Sequence, residues 1–444
     1  MSDEHPFGKE AEPDPRGRPA CYRADAVAVL QRLREMGHEA YFAGGCVRDL
    51  LLNIEPKDFD IATDAPPKRV RELFRRTQAV GAAFGVVLVR QGDSVVEVAT
   101  FRSDGKYTDG RHPESVRFVT AREDAQRRDF TINGLFYDPI QDRVIDYVDG
   151  QADLATRRLR AIGDSGERFA EDHLRLLRAV RFAARFDLSI DADTGAAMKG
   201  EARLLRRITP ERIADELRLM LTPTTRSDAW RLLWEFGLMA HVFRHVRDAI
   251  DAQPPERSLF TALMPTEIAP FPLALIAAAI DFQRAADGIG DVCALLGADS
   301  VKRLIRACRE GLRISNAESD GMESAAGGAR MMLGDQSPTL AERKRMLAMP
   351  TAPQSIALLR AIAVCGERIE RIARVQEQLA MLKGIDVAPA PLISGDDLQA
   401  MGMNPGPRFK RILDATYDAQ LEGTFATAEE AVKFAREAAR RLER

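Results

Sequence analysis

The sequence predicts an α+β N-terminal half followed by an all-α remainder, and three observations carry that reading. Up to about Asp149, short β-rich runs alternate with helical segments: "EAYFAG" and "FDIAT", "GVVLVRQ" and "SVVEVATF", then "SVRFVT" and "RVIDYVDG". Beyond it come long amphipathic patterns such as "EDHLRLLRAVRFAARF" and "TPERIADELRLML", broken by Gly and Pro. Convincing strands are absent from that second half. With 444 residues, 45% hydrophobic and 30% charged, the chain can form about two to four domains. Its first 20 or so residues open with Ser, Asp, Glu, Pro and Gly and lack an apolar core, which predicts a mobile tail. A glycine-rich stretch, Ser319 to Arg330, and a Pro/Ala stretch, Asp386 to Gly395, are the expected internal boundaries.

Composition narrows the function classes. A formal net charge of -3 and a pI near 6.2 exclude a protein that coats nucleic acid by bulk charge, while a local basic surface remains open. The five cysteines, Cys21, Cys46, Cys293, Cys308 and Cys365, form no CxxC or Cys/His cluster. Neither a disulfide framework nor a zinc site is expected, and a reducing cytoplasm fits. No run approaches the roughly 18 apolar residues of a membrane span.

The stretch "AGGCVRDLLLNIEPKDFDIAT", Ala43 to Thr63, concentrates the chemistry. Asp58 and Asp60 lie two apart in a segment of strand-forming character, so both carboxylates are expected on one face. Held that close they repel unless a cation stands between them. Mg²⁺ suits such a pair, because it takes one or two carboxylates and leaves its other positions to water and phosphate oxygens. Two solvated aspartates on a surface strand would show the same spacing. Gly44 and Gly45 precede the helical pattern "VRDLLL", so bare backbone N–H groups would meet a phosphate at a helix N-terminus, with Arg48 one turn on. Glu97, among valines in "VVEVA", is a third acid for a two-metal site or a charge on an edge strand.

Taken together, "GGCVRDLLL…KDFD", "RRDFTINGL", "DYVDGQADLATRRLRAIG", "EDHLRLLRAVRFAARF" and "TPERIADELRLML" resemble, in order, the five motifs of the class II tRNA nucleotidyltransferases (CCA-adding enzymes) and the bacterial poly(A) polymerases. The resemblance spans roughly Glu39 to Leu221. It implies a polymerase-β-like nucleotidyltransferase head over residues 21–150, a helical neck with a nucleotide-selecting helix over 151–235, a helical body over 236–385 and a tRNA-binding tail over 386–444. Metal ligands would fall on Asp58 and Asp60, and nucleotide contacts on Gly45, Arg48, Arg128, Asp172, Arg175, Arg178 and Arg181. The activity implied is Mg²⁺-dependent addition of CMP and AMP from CTP and ATP to a tRNA 3′ end. Poly(A) addition, CC-only or A-only addition, and a non-catalytic RNA-binding relative are the alternatives.

The residues themselves support these roles. In "RRDFTING", an Arg-Arg-Asp run is expected to open a helix that offers Arg128 to a triphosphate and Asp129 and Asn133 to a ribose. Asp172, Arg175, Arg178 and Arg181 recur every three residues, which on one helix makes a winding stripe, with Phe169, Leu177, Val180 and Ala184 facing the core. An Asp one turn before an Arg would match the amine and ring nitrogen of cytosine or adenine, while guanine and uracil would aim a carbonyl at the carboxylate. An ordinary salt-bridged helix surface has the same spacing.

Three positions depart from the family pattern: Asn53 for glycine, Gly134 for alanine and His173 for proline. Asn tolerates the positive φ that a glycine there would supply, and Gly134 is expected to loosen a helix by about 1 kcal/mol. "VGAAFGVVLV", Val80 to Val89, lacks the paired basic residues of the resembling poly(A) polymerases, and the loop Arg102 to Pro113 is expected to tune specificity. Leu392 to Thr427 resembles the tail of bacterial CCA-adding enzymes. There Asn404 to Pro407 should end one helix and start another, placing Arg408, Lys410 and Arg411 for an RNA phosphate. Oligomeric state is not legible.

Overall fold

A computed structural model describes residues 22–79, 85–105, 115–243, 258–263, 269–287, 291–334 and 336–441. The tail at 1–20, Val80 to residue 84, and residues 106–113 of the specificity loop lie outside the described residues. The chain falls into two compact units, Met1–Glu216 with Arg231–Val242, and Leu217–Trp230 with Phe243–Arg444.

In the first unit the six strand-like runs of the sequence become strands, and in the two longest the period-2 alternation gives each one a face to bury. The helix α1 (Arg23–Glu35) buries Ala26, Val29, Leu30 and Leu33 along one stripe. There follow β1 (Ala40–Ala43), α2 (Gly45–Leu51), β2 (Ile61–Thr63), α3 (Pro67–Leu73), β3 (Thr77–Ala79), β4 (Val86–Gln91) and β5 (Ser94–Thr100). A short pair, β6 (Arg102–Asp104) and β7 (Val116–Phe118), precedes α4 (Ala121–Gln126), β8 (Phe136–Asp138) and β9 (Arg143–Ile145). Seven strands form one mixed sheet in the order β3-β4-β5-β2-β1-β8-β9, in which only β2 and β5 run parallel. On one side Ala43, Ala62, Phe101 and Phe136 pack with Ala121 and Ala125 of α4 and with Val148 and Ile162.

The first unit continues through α5 (Gly150–Ala155), β10 (Arg158–Leu159), α6 (Ser165–Glu171), α7 (Arg175–Phe186), β11 (Ser189–Ile190) and α8 (Ala192–Glu201). Phe169, Leu177, Val180 and Ala184 are buried as their spacing requires. A left-handed Asp149 (φ 62) opens α5, and Gly150 follows it so closely against the Thr131 carbonyl that no Cβ would fit. Buried Asp153 of α5 accepts from Thr131 Oγ1 at 2.7 Å, Arg158 Nε at 2.7 Å and Arg160 Nε at 2.9 Å. It thereby ties "DYVDGQADLATRRLR" to "TING".

The second unit is helical throughout its described residues. Phe271–Asp287 is apolar nearly all round and lies at its centre, with Leu273, Ala274, Leu275 and Ile276 inaccessible. Trp230 stacks on Phe260 at 4.0 Å between ring centroids, and Phe282 packs alongside at 5.8 Å. Ser319–Arg330 is not a boundary: it lies inside the helix Asn316–Leu333. Its glycines are packing residues. A Cβ on Gly328 would strike Ser355, and one on Gly321 would meet Pro272 at 3.2 Å. Residues 386–394 carry no helix or strand, and beyond them Ile393, Leu398, Ile412, Ala431, Ala435 and Ala439 form a small core of their own. Among the described residues, no single helix is long and apolar enough to cross a membrane, and the described cysteines form no disulfide.

Candidate active site

Gly44 and Gly45 lie where β1 passes into α2. Gly44 holds φ 72 as the residue preceding the helix, and its N–H donates to the Leu135 carbonyl at 3.1 Å. A side chain there would meet Arg128 Nη1 at 3.0 Å, so the turn needs glycine for both conformation and space. The N–H groups of Gly45 and Cys46 occupy the first turn, where a helix supplies no internal acceptor.

Asp58 and Asp60 lie in the extended lead-in to β2 rather than within the strand. Both are half-buried on either side of buried Phe59, so they share one face as their spacing requires. Asp60 also continues the ladder, its carbonyl accepting from Ala43 N–H at 3.0 Å. Because that bond meets the residue just before the two glycines, the pair lies beside the glycine turn. Burial pushes the Cys46 thiol of α2 up to about 12, with the charges of Asp60 and then Asp58 adding to the rise.

Glu97 is on β5, on the half-buried face with Val95 and Ala99. The parallel register Ile61↔Val98, carried one residue back, aligns Asp60 with Glu97. Among the described residues, however, no three His, Cys, Asp or Glu side chains stand close enough to hold a metal ion. The three-carboxylate arrangement expected of Asp58, Asp60 and Glu97 is thus not closed. Two carboxylates on one face remain, a donor set that fits Mg²⁺ completed by water and phosphate.

The "RRDFTING" segment does not open a helix. α4 ends before it, and within it only a single 3-10 turn, Thr131–Asn133, forms. That geometry creates a network. Asn133 Oδ1 accepts from Arg48 Nη1 at 2.6 Å, and Asn133 Nδ2 donates to Asp129 Oδ1 at 3.0 Å. Asp129 Oδ2 in turn takes Arg178 Nε at 2.8 Å. Burial alone would raise the Asp129 pKa, but Arg178, the Asn133 amide and Arg175 outweigh it and hold the carboxyl well below the usual carboxylate range. Arg128 reaches Asp124 Oδ2 at 2.9 Å and the Asn133 carbonyl at 3.3 Å. Gly134 is no helix-loosening residue: a Cβ there would lie 2.7 Å from Val148 Cγ2 and 3.1 Å from Ile162 Cδ1.

Arg48 is buried beside the glycine turn, with Nη2 3.6 Å from where a Cβ on Gly45 would sit. It is 5% exposed, donates to Asp49 Oδ1 at 2.8 and 2.6 Å, and lies over the Phe186 ring at 4.2 Å. Arg178 and Arg181 face Phe182 at 5.1 and 4.5 Å, and Arg181 Nε pairs with Glu216 at 2.7 Å. Two phenylalanine rings one turn apart on α7 thus hold guanidinium groups from two elements in fixed planes.

The expected stripe breaks at its first member. Asp172 follows the end of α6 in an extended conformation (φ -133, ψ 105), and α7 begins only at Arg175. Asp172 and Arg175 are therefore not one turn apart on one helix. Arg175 Nη1 pairs with Glu171 Oε2 at 2.5 Å, while Arg212 Nη2 reaches the two Asp172 oxygens at 3.2 and 3.3 Å. His173 fills the break, buried, with Nδ1 at 2.9 Å from the Phe169 carbonyl.

Arg408, Lys410 and Arg411 are exposed in the first turns of the helix Pro407–Leu421, after a break at residues 402–406. The sequence reading missed Asp49, Asp124, Arg212 and Glu216, which hold the proposed contact residues in place. Asp124 was visible four residues before Arg128 on a helical pattern, but Arg212 and Glu216 lie 40 and 35 residues from their partners and carry no local signal.

Known proteins resemble this chain in sequence and fold. Residues 40–160 match the poly A polymerase head domain, and residues 187–250 match a probable RNA and SrmB- binding site of polymerase A. A CCA-adding enzyme of Lactococcus lactis subsp. cremoris is 45% identical over 228 residues, 48% of this chain and 56% of that protein. Poly(A) polymerase I of Haemophilus influenzae is 35% identical over 265 residues, 56% of this chain and 58% of that protein. The matched region thus covers little more than half the length of these relatives. The crystal structure of the Bacillus stearothermophilus CCA-adding enzyme in complex with CTP superposes with a TM-score of 0.68 at 27% identity, over 95% of this chain and 98% of that one. With its mixed-sheet head, which matches the poly A polymerase head domain, and its mostly helical remainder, the chain is similar in sequence and fold to the CCA-adding enzymes and bacterial poly(A) polymerases.

Proposed function

We propose that the protein adds CMP and AMP from CTP and ATP to the 3′ end of tRNA, without a nucleic-acid template. The observation that carries this reading is the pair of half-buried carboxylates, Asp58 and Asp60, on the lead-in to β2, whose backbone bonds to Ala43 just before the glycine turn that opens α2. In the reaction the tRNA 3′ oxygen forms a bond to the α-phosphorus and loses its proton, the α–β phosphoanhydride bond breaks, and pyrophosphate leaves. A divalent ion held by Asp58 and Asp60, Mg²⁺ by their chemistry, supplies charge neutralisation and a more acidic hydroxyl. The turn at Gly44 and Gly45 offers first-turn amides to a phosphate, and Arg128, beside Gly44, adds a cation. Asp129 and Asn133, fixed by Arg178 and Arg48, are set to meet the ribose.

Base choice falls to Asp172 and Arg175 by a different geometry from a shared helix. Arg212 shares one nitrogen between the two Asp172 oxygens at 3.2 and 3.3 Å, long for a charge-assisted bond. The carboxylate therefore keeps lone pairs for the exocyclic amine of cytosine or adenine. Residues 21–150 act as head, 151–235 as neck, 236–385 as body and 386–444 as tail, where Arg408, Lys410 and Arg411 would meet RNA phosphates.

Poly(A) addition is the second reading, favoured by the 35% identity to a poly(A) polymerase I. Incubating the protein with tRNA lacking CCA and each labelled nucleotide separates the cases. A product that stops after CCA supports the first reading, an A-only tail the second, and incorporation of G or U as readily as C and A removes base choice by Asp172.

A further inference from the structure

The outer edge of the head carries a feature that nucleotide addition at Asp58 and Asp60 does not use. Arg32 of α1, Arg75 and Arg76 before β3, and Arg90 of β4 line one open groove of about 480 Å³, floored by Leu73 and Phe74. All four arginines are exposed, and no acidic side chain lines the groove. That is a local excess on a chain whose 64 cations are outnumbered by 67 anions. Arg32 has a neighbour in Glu35 at 3.4 Å, both more than half exposed, a pairing that water and salt weaken.

Register sharpens the point. β3 and β4 pair with Thr77↔Val89, and the Arg90 N–H donates to the Arg76 carbonyl at 2.9 Å, so Arg76 and Arg90 stand directly across from each other. Like charges in that position destabilise a strand pair. Charges on an edge strand also discourage strand addition, but that role needs neither a groove nor four charges of one sign from three elements. A bound anion would turn the cost into an attraction. Arginine rather than lysine at all four positions suits bidentate contact with phosphate oxygens. Phe74 is only 9% exposed, so no aromatic face is offered to a stacked base. The recognition available is of backbone phosphates, independent of sequence.

We propose that this groove docks the phosphate backbone of duplex RNA, a second anchoring surface for the polynucleotide acceptor. In its link to an acceptor the inference rests on the proposed tRNA reaction. Three strand spacings, roughly 14 Å, separate β3 from β2 and the lead-in bearing Asp60, so the groove would hold phosphates away from the reacting 3′ end.

The test compares the whole chain with its Arg75→Gln/Arg76→Gln/Arg90→Gln variant. Binding of a blunt 12-base-pair RNA duplex and of tRNA lacking CCA is measured across a salt series. Removing two or three phosphate contacts should weaken both about tenfold and lower the slope of log K against log salt by about two. CMP incorporation at saturating tRNA should be unchanged, and the melting temperature unchanged or raised, because the facing arginines no longer repel. Arg76→Lys/Arg90→Lys, which keeps the charge, should retain most of the affinity. Unchanged affinity and slope in the glutamine variant, an equal loss in the lysine variant, or a parent that fails to bind the duplex would overturn the inference. A parent that binds the duplex through these arginines but adds neither C nor A to tRNA would remove the proposed reaction and leave the groove standing.

Discussion

At Asp60 the backbone continues a β ladder while the side chain stays half-buried, so substituting the carboxylate should spare the fold. Asp60→Asn is expected to lower CMP incorporation about 10³-fold, the loss of roughly 4 kcal/mol of charge stabilisation, with circular dichroism and melting temperature near the parent's. Undiminished incorporation would count against metal binding at this pair. Gly134 is the opposite case, a residue whose importance lies in what it omits. Gly134→Ala should destabilise the head by about 1–3 kcal/mol in urea denaturation, because Val148 and Ile162 occupy the space. Asn53, at φ 55, bears out the expectation that it takes a left-handed conformation. These outcomes show which residue roles are local. A two-residue spacing or a left-handed turn can be read from sequence, whereas a 2.7 Å approach to a side chain 14 positions away cannot.

At the level of elements, two neighbouring glycines in the helix Asn316–Leu333 should respond with opposite signs. Gly327 has only the end of Arg330 within reach, at 3.9 Å, so Gly327→Ala should stabilise by about 0.5–1 kcal/mol through helix propensity. Gly328 faces Ser355 of the helix Ala352–Val364, and there the overpacking cost of about 1–3 kcal/mol should outweigh the same gain. Chemical denaturation of both variants decides the matter, and two gains would mean that the helices can part without cost. The sequence suggested a boundary here because glycine favours breaks and close helix contact alike, and only the neighbour distinguishes them. Strands were easier. Runs such as "SVVEVATF" carry their alternation in full, while β3 and β8, three residues each, are too short to show a period and exist through pairing with longer partners.

Across the whole molecule, two buried carboxylates should titrate with opposite effects on stability. Asp281, in the helical unit, accepts from Ser258 Oγ at 2.7 Å and from the N–H groups of Leu259 and Phe260 at 2.8 and 2.9 Å. Burial nonetheless pushes its pKa up to about 6 from 3.8. Its contribution therefore favours the fold below about pH 4 and is lost as pH rises through 6. Asp129, in the head, is held below 3.8, so its contribution is present above about pH 4 and lost on acidification. Asp281→Asn should remove up to about 3 kcal/mol of pH dependence between pH 4 and 7, and Asp129→Asn should flatten the acid limb instead. Urea denaturation of both variants at pH 4, 5.5 and 7 checks the signs, and parallel pH profiles for parent and variants would contradict them. Chelation of divalent ions should abolish incorporation and leave melting nearly unchanged, since two half-buried carboxylates on the lead-in to an already paired central strand are not what hold the head together.

Alone, the sequence determined the strand and helix patterns of the head, the shared face of Asp58 and Asp60, the glycine turn before α2 and the resemblance to the CCA-adding enzymes and poly(A) polymerases, because these depend on residues within a few positions of one another or on motif order. Tertiary structure decided the rest. Asp172 parted from Arg175 because α6 ends at Glu171 and α7 begins only at Arg175, Arg48 packed onto Asn133 and Phe186, and Arg76 came to face Arg90 across a strand pair. In each case the deciding partner is set by packing and by strand register, and the free energy of those contacts exceeds the small local preferences that a linear reading can see.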